Sequence, residues 1–267
     1  MKIDGEKGEG PELMKKFSVA GYPTVIFLDT DGNEIDRIVG FGGDKDEYVQ
    51  QVKDYLEGKG TLAALINEFE SGKTAELAKS IAQKYAMRKD DDNAAMYYKA
   101  VMQLDPENKT GFADEARYRL AGYAAACGDL SKWNEMVASV ADDSPWLPRA
   151  YSAMAGYSRR NGDLAGAVTA YEAAIKRMPE DVNMMNTYAW FVFKSEMQDQ
   201  YARAIEVAQK AVELSPEADA IWDTLGQLHF ANGNTEAAIE AMSKAAELNP
   251  EEKSYKDNLA TYRKPKA

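Results

Sequence analysis

One frame of paired helices recurs along the chain and limits what it can fold into. In the stretch Ala220–Pro250, apolar residues follow helical spacing, a turn at Asn232-Gly233-Asn234 intervenes, and a second apolar helix face ends at Pro250. Each helix has one apolar side that it cannot bury alone, so copies have to stack beside one another. The frame therefore predicts a repeated, mainly helical architecture.

Upstream copies of this frame share its terminal proline and its turn. A proline ends each copy, and the intervals between these prolines are 39, 34, 37 and 34 residues. The prolines are Pro106, Pro145, Pro179, Pro216 and Pro250, and the aligned turns are Cys127–Trp133, Asn161–Ala167 and Asn232–Ala238. A period near 34 residues, with these turns and terminal prolines, resembles the tetratricopeptide repeat (TPR) family over about Ala75–Pro250. The resemblance implies about five helix pairs, and it specifies a fold more closely than a function.

Residues 1–60 follow a different pattern, which predicts a small α/β unit. The predicted elements are a strand end at Lys2-Ile3-Asp4, a short helix over Pro11–Phe17, strands at Val25–Leu28 and Ile35–Val39 joined by a turn at Asp31-Gly32, and a helix capped by Asp44. On the last helix, one apolar stripe is formed by Tyr48, Val49, Val52, Tyr55 and Leu56.

This order of elements resembles the C-terminal half of a thioredoxin fold. The residues that carry the resemblance are Val19, Gly21, Tyr22, Pro23, Thr24, Phe27, Gly32 and Gly40. In that family the proline before the strand is cis and lies beside the reactive dithiol, and the preceding residue pairs with an extended substrate chain. The resemblance therefore implies substrate-binding roles for Tyr22, Pro23 and Thr24.

The chain departs from that family in one respect. Two strands, two helices and a Cys-x-x-Cys would precede Lys2-Ile3-Asp4 in a complete thioredoxin fold, and they are missing here. Without them, the apolar strand Thr24–Leu28 keeps one unpaired edge, through which a dimer could form. We expect a chain truncated upstream; the alternative is a degenerate unit in which a repeat helix or a second subunit covers this edge.

The expected fold class is mainly α, a TPR-type α-solenoid preceded by a partial thioredoxin-like α/β unit. The expected divisions are 1–60 for the partial thioredoxin-like unit, 61–74 for a connecting helix and turn, 75–250 for the TPR-like repeats, and 251–267 for a C-terminal cap helix and tail. Thr61 is expected to cap the connecting helix.

Composition restricts the function classes. The net charge of −12 argues against a nucleic-acid partner, which needs a clustered basic surface. A single cysteine, Cys127, and a single histidine, His229, leave no dithiol, catalytic triad or zinc site within the chain. We therefore expect no catalytic residues, no metal and no cofactor, and no apolar run reaches the roughly 18 residues that span a bilayer. The residues expected to serve only in packing are Cys127, His229, Trp133, Trp146, Trp190 and Trp222.

The TPR resemblance implies a groove lined by residues of the first helix of each pair. Carried over by position, these are Tyr118, Arg149, Ser152, Arg159, Arg160, Asn183, Asn186, Lys194, Asp223 and Gln227. Arg159, Arg160 and Lys194 would form a positive spot that suits an acidic segment or a C-terminal carboxylate, and Asn183 and Asn186 could hold a peptide backbone. The alternative is that the two arginines merely favour the dipole of a helix end.

Two functional hypotheses follow. In the first, the chain is a protein-interaction scaffold whose groove binds a peptide or a partner protein. In the second, it is part of a thiol–disulfide oxidoreductase whose Cys-x-x-Cys lies upstream of residue 1 and whose repeats recruit substrates. The chain as given is not expected to be an enzyme, whereas the second hypothesis would make the full-length protein one. The resemblance to bacterial thioredoxin-like proteins implies the periplasm or cell envelope, with the cytoplasm as the alternative.

Overall fold

Helices make up most of the structure. A computed structural model describes residues 2–264 of the 267-residue chain. The chain divides into two compact units, Met1–Ala138 and Ser139–Ala267. Residues 265–267, which belong to the predicted tail, lie outside the described residues.

The first unit holds a two-stranded antiparallel sheet formed by β1 (Thr24–Leu28) and β2 (Glu34–Val39). Val25 lies opposite Ile38, and Ile26 lies opposite Arg37. Gly32 has a φ of 79°, a conformation that residues with a side chain rarely adopt. Because glycine lacks a Cβ, it allows the tight turn between the strands. The predicted hairpin is therefore confirmed.

The predicted strand end at Lys2-Ile3-Asp4 is wrong, because Asp4 is engaged in a turn. Its carboxylate accepts a hydrogen bond from the N–H of Glu6 at 3.0 Å, and its carbonyl accepts one from the N–H of Lys7 at 3.3 Å. No described strand lies beside these residues to form a ladder.

Seven helices begin in the described part of the first unit. They are α1 (Gly10–Lys16), α2 (Lys45–Leu56), α3 (Leu62–Ser71), α4 (Ala75–Met87), α5 (Asp91–Leu104), α6 (Phe112–Ala126) and α7 (Ser131–Ser139). The predicted caps are confirmed: Asp44 accepts hydrogen bonds from the N–H groups of Asp46 and Glu47, and Thr61 accepts one from Ala64. The core between α4 and α5 includes the fully buried Ile81, Tyr98 and Val101.

The second unit continues the helix pairs. Its described helices are α8 (Leu147–Arg160), α9 (Leu164–Arg177), α10 (Val182–Lys194), α11 (Tyr201–Leu214), α12 (Asp219–Ala231), α13 (Thr235–Leu248) and α14 (Lys253–Tyr262), with a short 3-10 helix at Gln198–Gln200. α8 packs on α9, α10 on α11, and α12 on α13, as the repeat frame predicts. α10 also packs on α12, so the first helices of two successive pairs are neighbours.

Two details of this unit explain its packing. Gly226 lies where α12 and α13 are closest, since a Cβ at this position would lie 3.2 Å from the backbone nitrogen of Met242. The predicted cap helix is present as α14, whose Tyr255, Leu259 and Tyr262 are buried against α13.

A buried ionic cluster joins the sheet to the helices of the first unit. Asp36 on β2 is fully buried. Its carboxylate accepts hydrogen bonds from Lys84 Nζ at 2.7 Å, from Arg88 Nη2 at 3.0 Å and from the N–H of Leu62 at 2.7 Å. β2 is thereby tied to the start of α3 and to α4.

The apolar stripe of α2 runs from the exposed Val49 and Leu56, through the half-buried Tyr48 and Val52, to the buried Tyr55.

Two expectations about packing are wrong. Cys127 is exposed because α6 ends at Ala126 and the chain turns at Gly128, which has a φ of 90°. Trp190 is 39 % exposed, because it points away from the buried side of α10.

Candidate functional site

One side of α10 carries polar and aromatic residues that the protein leaves uncovered. We call this surface the α10 face; its residues are Asn183, Asn186, Thr187, Trp190 and Lys194. Residues three and four apart share one side of a helix, so these five side chains form a continuous stripe. The opposite side of α10 holds Met185, Tyr188, Ala189 and Val192, which are fully buried in the core. The core thus fixes which side of α10 remains available.

Asn186 leaves a hydrogen-bond acceptor unused on this face. Its Oδ1 atom is buried, and no described group donates to it. A buried polar atom without a partner costs about 1–3 kcal/mol. Because the Oδ1 atom is buried, this cost lies inside the protein and the exposed residues of the α10 face are the ones within reach of a ligand.

Trp190 provides an apolar surface next to that acceptor. Its ring lies 5.5 Å from the ring of Phe193, measured between centroids. Lys194 Nζ lies 5.6 Å from the Trp190 ring centroid, within the range of a cation–π contact. No ion pair involves Lys194 among the described residues, so its charge is available to a ligand.

Asp223 and Gln227, the predicted groove residues of α12, lie apart from the α10 face, since Asp223 is hydrogen-bonded to Asn258 of α14. Gln227 Nε2 donates to both carboxylate oxygens of Asp223, at 2.9 and 2.8 Å. Burial raises the pKa of Asp223; the Gln227 bond counteracts this, and the negative charges of Glu252 and Asp219 add to the increase. Asp223 is therefore a carboxylate that holds its proton more readily than an exposed one.

The remaining predicted groove residues of the second unit lie on α8. Arg149 and Ser152 are exposed, and the Arg149 guanidinium lies 4.7 Å from the centroid of the Trp146 ring. Arg159 and Arg160 are exposed in the last turn of α8, as Lys194 is in the last turn of α10. Within residues 2–264, no ion pair neutralises Arg149, Arg159 or Arg160.

Tyr118 lies in the other unit. It is half-buried on α6, and its ring packs edge-on against Trp133 at 5.2 Å. We therefore describe it separately from the α10 face.

The residues predicted from the thioredoxin resemblance lie at the start of β1. The peptide bond between Tyr22 and Pro23 is cis. Tyr22 is 62 % exposed, and its hydroxyl donates to Met14 Sδ at 2.8 Å. Thr24 Oγ1 donates to the carbonyl of Gly21 at 2.7 Å.

An apolar cavity of about 290 Å³ opens beside these residues, and we call it the β1 trough. Its lining includes Ile3, Leu13, Met14, Phe17, Tyr22, Thr24, Ile26 and Leu28. A second cavity of about 780 Å³ lies between α2 and α4, where cationic residues such as Arg37 and Lys84 alternate with acidic ones such as Asp44 and Asp54.

The single histidine and the acidic side chains also bear on the sequence-based expectations. His229 is buried as predicted, and burial lowers the pKa of its imidazole. No three His, Cys, Asp or Glu side chains between residues 2 and 264 come together as a metal site requires. Nor does any helix in that range have the length and apolar character to cross a membrane.

Sequence reasoning missed the central member of the α10 face. It assigned Trp190 to the core, whereas the structure exposes it between Asn186 and Lys194. The signal was present, because the spacing of three or four residues from Asn183 to Lys194 includes position 190.

Comparison with known proteins bears on the helix pairs. The family described as tetratricopeptide repeat matches residues 195–260, which span α11–α13 and most of α14. With the recurring pairs, this match shows TPR-type repeats in a mainly α fold. No curated protein matches the chain.

Several solved structures are similar to parts of the chain. The first TPR domain of human RPAP3 is 18% identical, covers 44% of this chain and 91% of its own, and has a TM-score of 0.39. YrrB, described as a TPR protein with an unusual peptide-binding site, is 15% identical, covers 73% and 96%, and has a TM-score of 0.47. The MamA protein is 19% identical, covers 73% and 99%, and has a TM-score of 0.43.

Proposed function

We propose that this chain is a protein-interaction scaffold whose α10 face binds an extended peptide segment of a partner. The observation that carries the proposal is the exposed ring of Trp190 on one stripe of α10 with the exposed polar side chains of Asn183 and Lys194. The Asn183 amide would hydrogen-bond the peptide backbone, and an apolar peptide side chain would pack on Trp190. TPR-type repeats provide a rigid support for such a surface.

The partner is proposed to be acidic. Arg149, Arg159, Arg160 and Lys194 lack ion-pair partners among the described residues, in a chain with a net charge of −12. Carboxylates of a peptide would form charge-assisted hydrogen bonds with such cations. The alternative role of Arg159 and Arg160 is to stabilise the end of α8 through its dipole.

The proposal can be tested with peptides selected from a random library by the full chain. We expect Asn183→Ala to weaken a selected peptide about tenfold, the equivalent of one hydrogen bond of about 1.4 kcal/mol, and Trp190→Ala to weaken it at least as much. Isothermal titration calorimetry measures both. Asn67→Ala, on an exposed part of α3, is the matched control. Failure to select any peptide, or selected peptides that bind both variants normally, would contradict the proposal.

The first 60 residues extend this proposal to a second surface. We propose that they form a partial thioredoxin-like unit in which Tyr22, Pro23 and Thr24 contact an extended chain. A connecting helix and turn (61–74), the TPR-like repeats (75–250) and a cap helix and tail (251–267) follow this unit in the proposed domain division. The order of α1, β1, β2 and α2 and the open β1 trough support this. We also propose that copies of the chain associate through the open edge of β1.

Thiol–disulfide exchange is the weaker hypothesis for the polypeptide as it stands. The reaction needs an attacking and a resolving thiolate, and Cys127 is the single cysteine. We therefore assign binding, and not disulfide exchange, to these 267 residues.

A further inference from the structure

The backbone of β1 leaves one set of hydrogen-bonding groups unused. The Pro23 carbonyl accepts from the N–H of Gly40 at 2.7 Å, and the N–H of Asp29 donates to the Asn33 carbonyl at 2.9 Å. These bonds fix the alternation of the ladder, so the odd-numbered residues direct their N–H and C=O groups towards β2. Thr24, Ile26 and Leu28 consequently direct theirs away from β2, where no described strand is present.

The side chains of the same three residues share one face of the sheet and line the β1 trough. None of the residues that line the trough carries a charge. Leu28 is 45 % exposed at its mouth. Edge strands in stable proteins are usually blunted by charges or bulges, and β1 has neither; the one irregularity of the pairing places an extra residue on β2.

A partner of this edge should therefore be an extended, uncharged segment whose own backbone N–H and C=O groups are unpaired. β1 itself meets this description. Resting on the self-association proposed above, we infer that β1 of a second copy pairs antiparallel with β1, centred on Ile26. The second copy is thus the partner that completes the sheet.

The alternation of the outward-facing backbone N–H and C=O groups along β1 supports this register. With Ile26 opposite Ile26 of the second copy, the outward N–H and C=O groups of the two residues bond each other. Thr24 then bonds Leu28 of the second copy, and Leu28 bonds its Thr24, so all the free groups of both strands are satisfied. No like charges meet, because the sequence TVIFL has none.

Pairing also enlarges the sheet. Each two-stranded sheet is already held to α3 and α4 by the Asp36 cluster, and antiparallel pairing of β1 with its copy would make one four-stranded sheet. Because residues directly opposite each other share a face, the two Ile26 side chains would join the two troughs into one apolar surface. The dimer therefore buries apolar area that each copy alone exposes.

The test compares the wild-type chain with Ile26→Lys and Ile26→Glu by sedimentation velocity over a range of concentrations. We expect a wild-type dimer and, for each variant alone, a dissociation constant raised at least about tenfold, because like charges then lie directly opposite each other. An equimolar mixture of the two variants should restore the dimer, since the introduced ammonium and carboxylate would face each other only in the inferred register. Val39→Lys, on the outer edge of β2, is the matched control and should remain dimeric.

Amide hydrogen exchange supplies an independent measurement. The N–H groups of Ile26 and Leu28 should exchange slowly in the wild-type dimer, and the N–H groups of residues 26 and 28 should exchange rapidly in the Ile26→Lys variant. The N–H of Val25, which faces Ile38, should stay protected in both, which shows that the hairpin is folded.

Each other outcome overturns the inference. A monomeric wild-type chain, a dimeric Ile26→Lys variant or a mixture that fails to restore the dimer would do so. A monomer that binds a synthetic TVIFL peptide would assign the edge to another chain. Binding of the library-selected peptide to the Ile26→Lys variant is measured in parallel. Normal peptide binding there shows that the proposed peptide site holds even if the proposed β1 dimer does not.

Discussion

Asp36 shows how a single residue governs the first unit. Burial alone would raise the pKa of its carboxyl group. Hydrogen bonds from Lys84 and from the N–H of Arg37, the positive charge of Lys84 and a bond from Arg88 outweigh burial and lower this pKa below 3.8. Arg37, beside it, is paired with Glu34 and donates to the carbonyls of Met87 and Phe17 at 3.1 and 2.7 Å. Charges buried in this way are stable only as a complete set.

Removing the charge of Asp36 should therefore destabilise the first unit. We expect Asp36→Asn to lower the free energy of unfolding by about 3–5 kcal/mol, because Lys84 would remain buried without its counter-charge and Arg88 would keep only its ion pair with Glu34. Urea unfolding measures the change. Asp31→Asn, at an exposed position of the hairpin turn, should leave stability nearly unchanged. Equal stability of the two variants would show that the cluster contributes little.

The lowered pKa of Asp36 also predicts a pH dependence. Since the folded-state pKa is lower than the unfolded value of about 3.8, the stabilisation is fully present above that value and is lost as the pH falls through the folded-state pKa. The difference in unfolding free energy between the wild-type chain and Asp36→Asn should be constant above about pH 5 and shrink below the unfolded value. Urea unfolding at several pH values tests this, and a difference that grows on acidification would contradict it.

At the scale of the element, the repeats were predictable because they are periodic and bounded by chemical signals. Asp44 and Thr61 cap the helices assigned to them, and the predicted cap helix after Pro250 is present as α14. Lys2-Ile3-Asp4 could not be assigned in this way, because a three-residue segment becomes a strand only if a neighbour pairs with it.

The candidate site was predictable in part for the same reason. Helical spacing gave the correct side of α10 for Asn183, Asn186 and Lys194, although those residues were first chosen by resemblance. The same spacing includes Trp190, which was instead assigned to the core. The unpartnered Asn186 oxygen depends on the three-dimensional arrangement around it, which the local spacing does not encode.

The close approach of α12 and α13 gives a prediction at this scale. Gly226→Val should lower the free energy of unfolding by about 1–3 kcal/mol, because the added side chain would meet the backbone of Met242 and of Ala238. Gly156→Ala in α8 is the control: a Cβ there would meet only the end of Arg160, at 3.5 Å. The control should be neutral or stabilising by up to about 1 kcal/mol. Chemical denaturation distinguishes the two, and a stable Gly226→Val variant would show that the helices can separate without cost.

For the whole molecule, the net charge of −12 opposes the acidic partner proposed here. A local group of cations has to overcome the repulsion between this negatively charged chain and an acidic peptide. That repulsion is short-ranged, because physiological salt screens exposed charges within about 8–10 Å. A short acidic peptide should therefore depend strongly on the few cations that it contacts.

Charge reversal tests this dependence. Replacing Arg159 and Arg160 with Glu should weaken a fluorescently labelled oligoglutamate peptide at least about tenfold, as measured by anisotropy. Lys176→Glu with Lys210→Glu changes the net charge equally on α9 and α11, the second helices of their pairs, and should weaken binding less. Equal losses would indicate that only total charge matters, and no loss would dismiss the acidic partner.

The ionic cluster around Asp36 also bears on the order in which the protein takes shape during synthesis. Ile38 and Tyr55 are the buried large apolar side chains within residues 2–60, so this segment has very little core of its own. Its anchors, Lys84 and Arg88, are translated later. Although domains usually fold from the N-terminus as they leave the ribosome, the hairpin would have to wait for α4 to emerge.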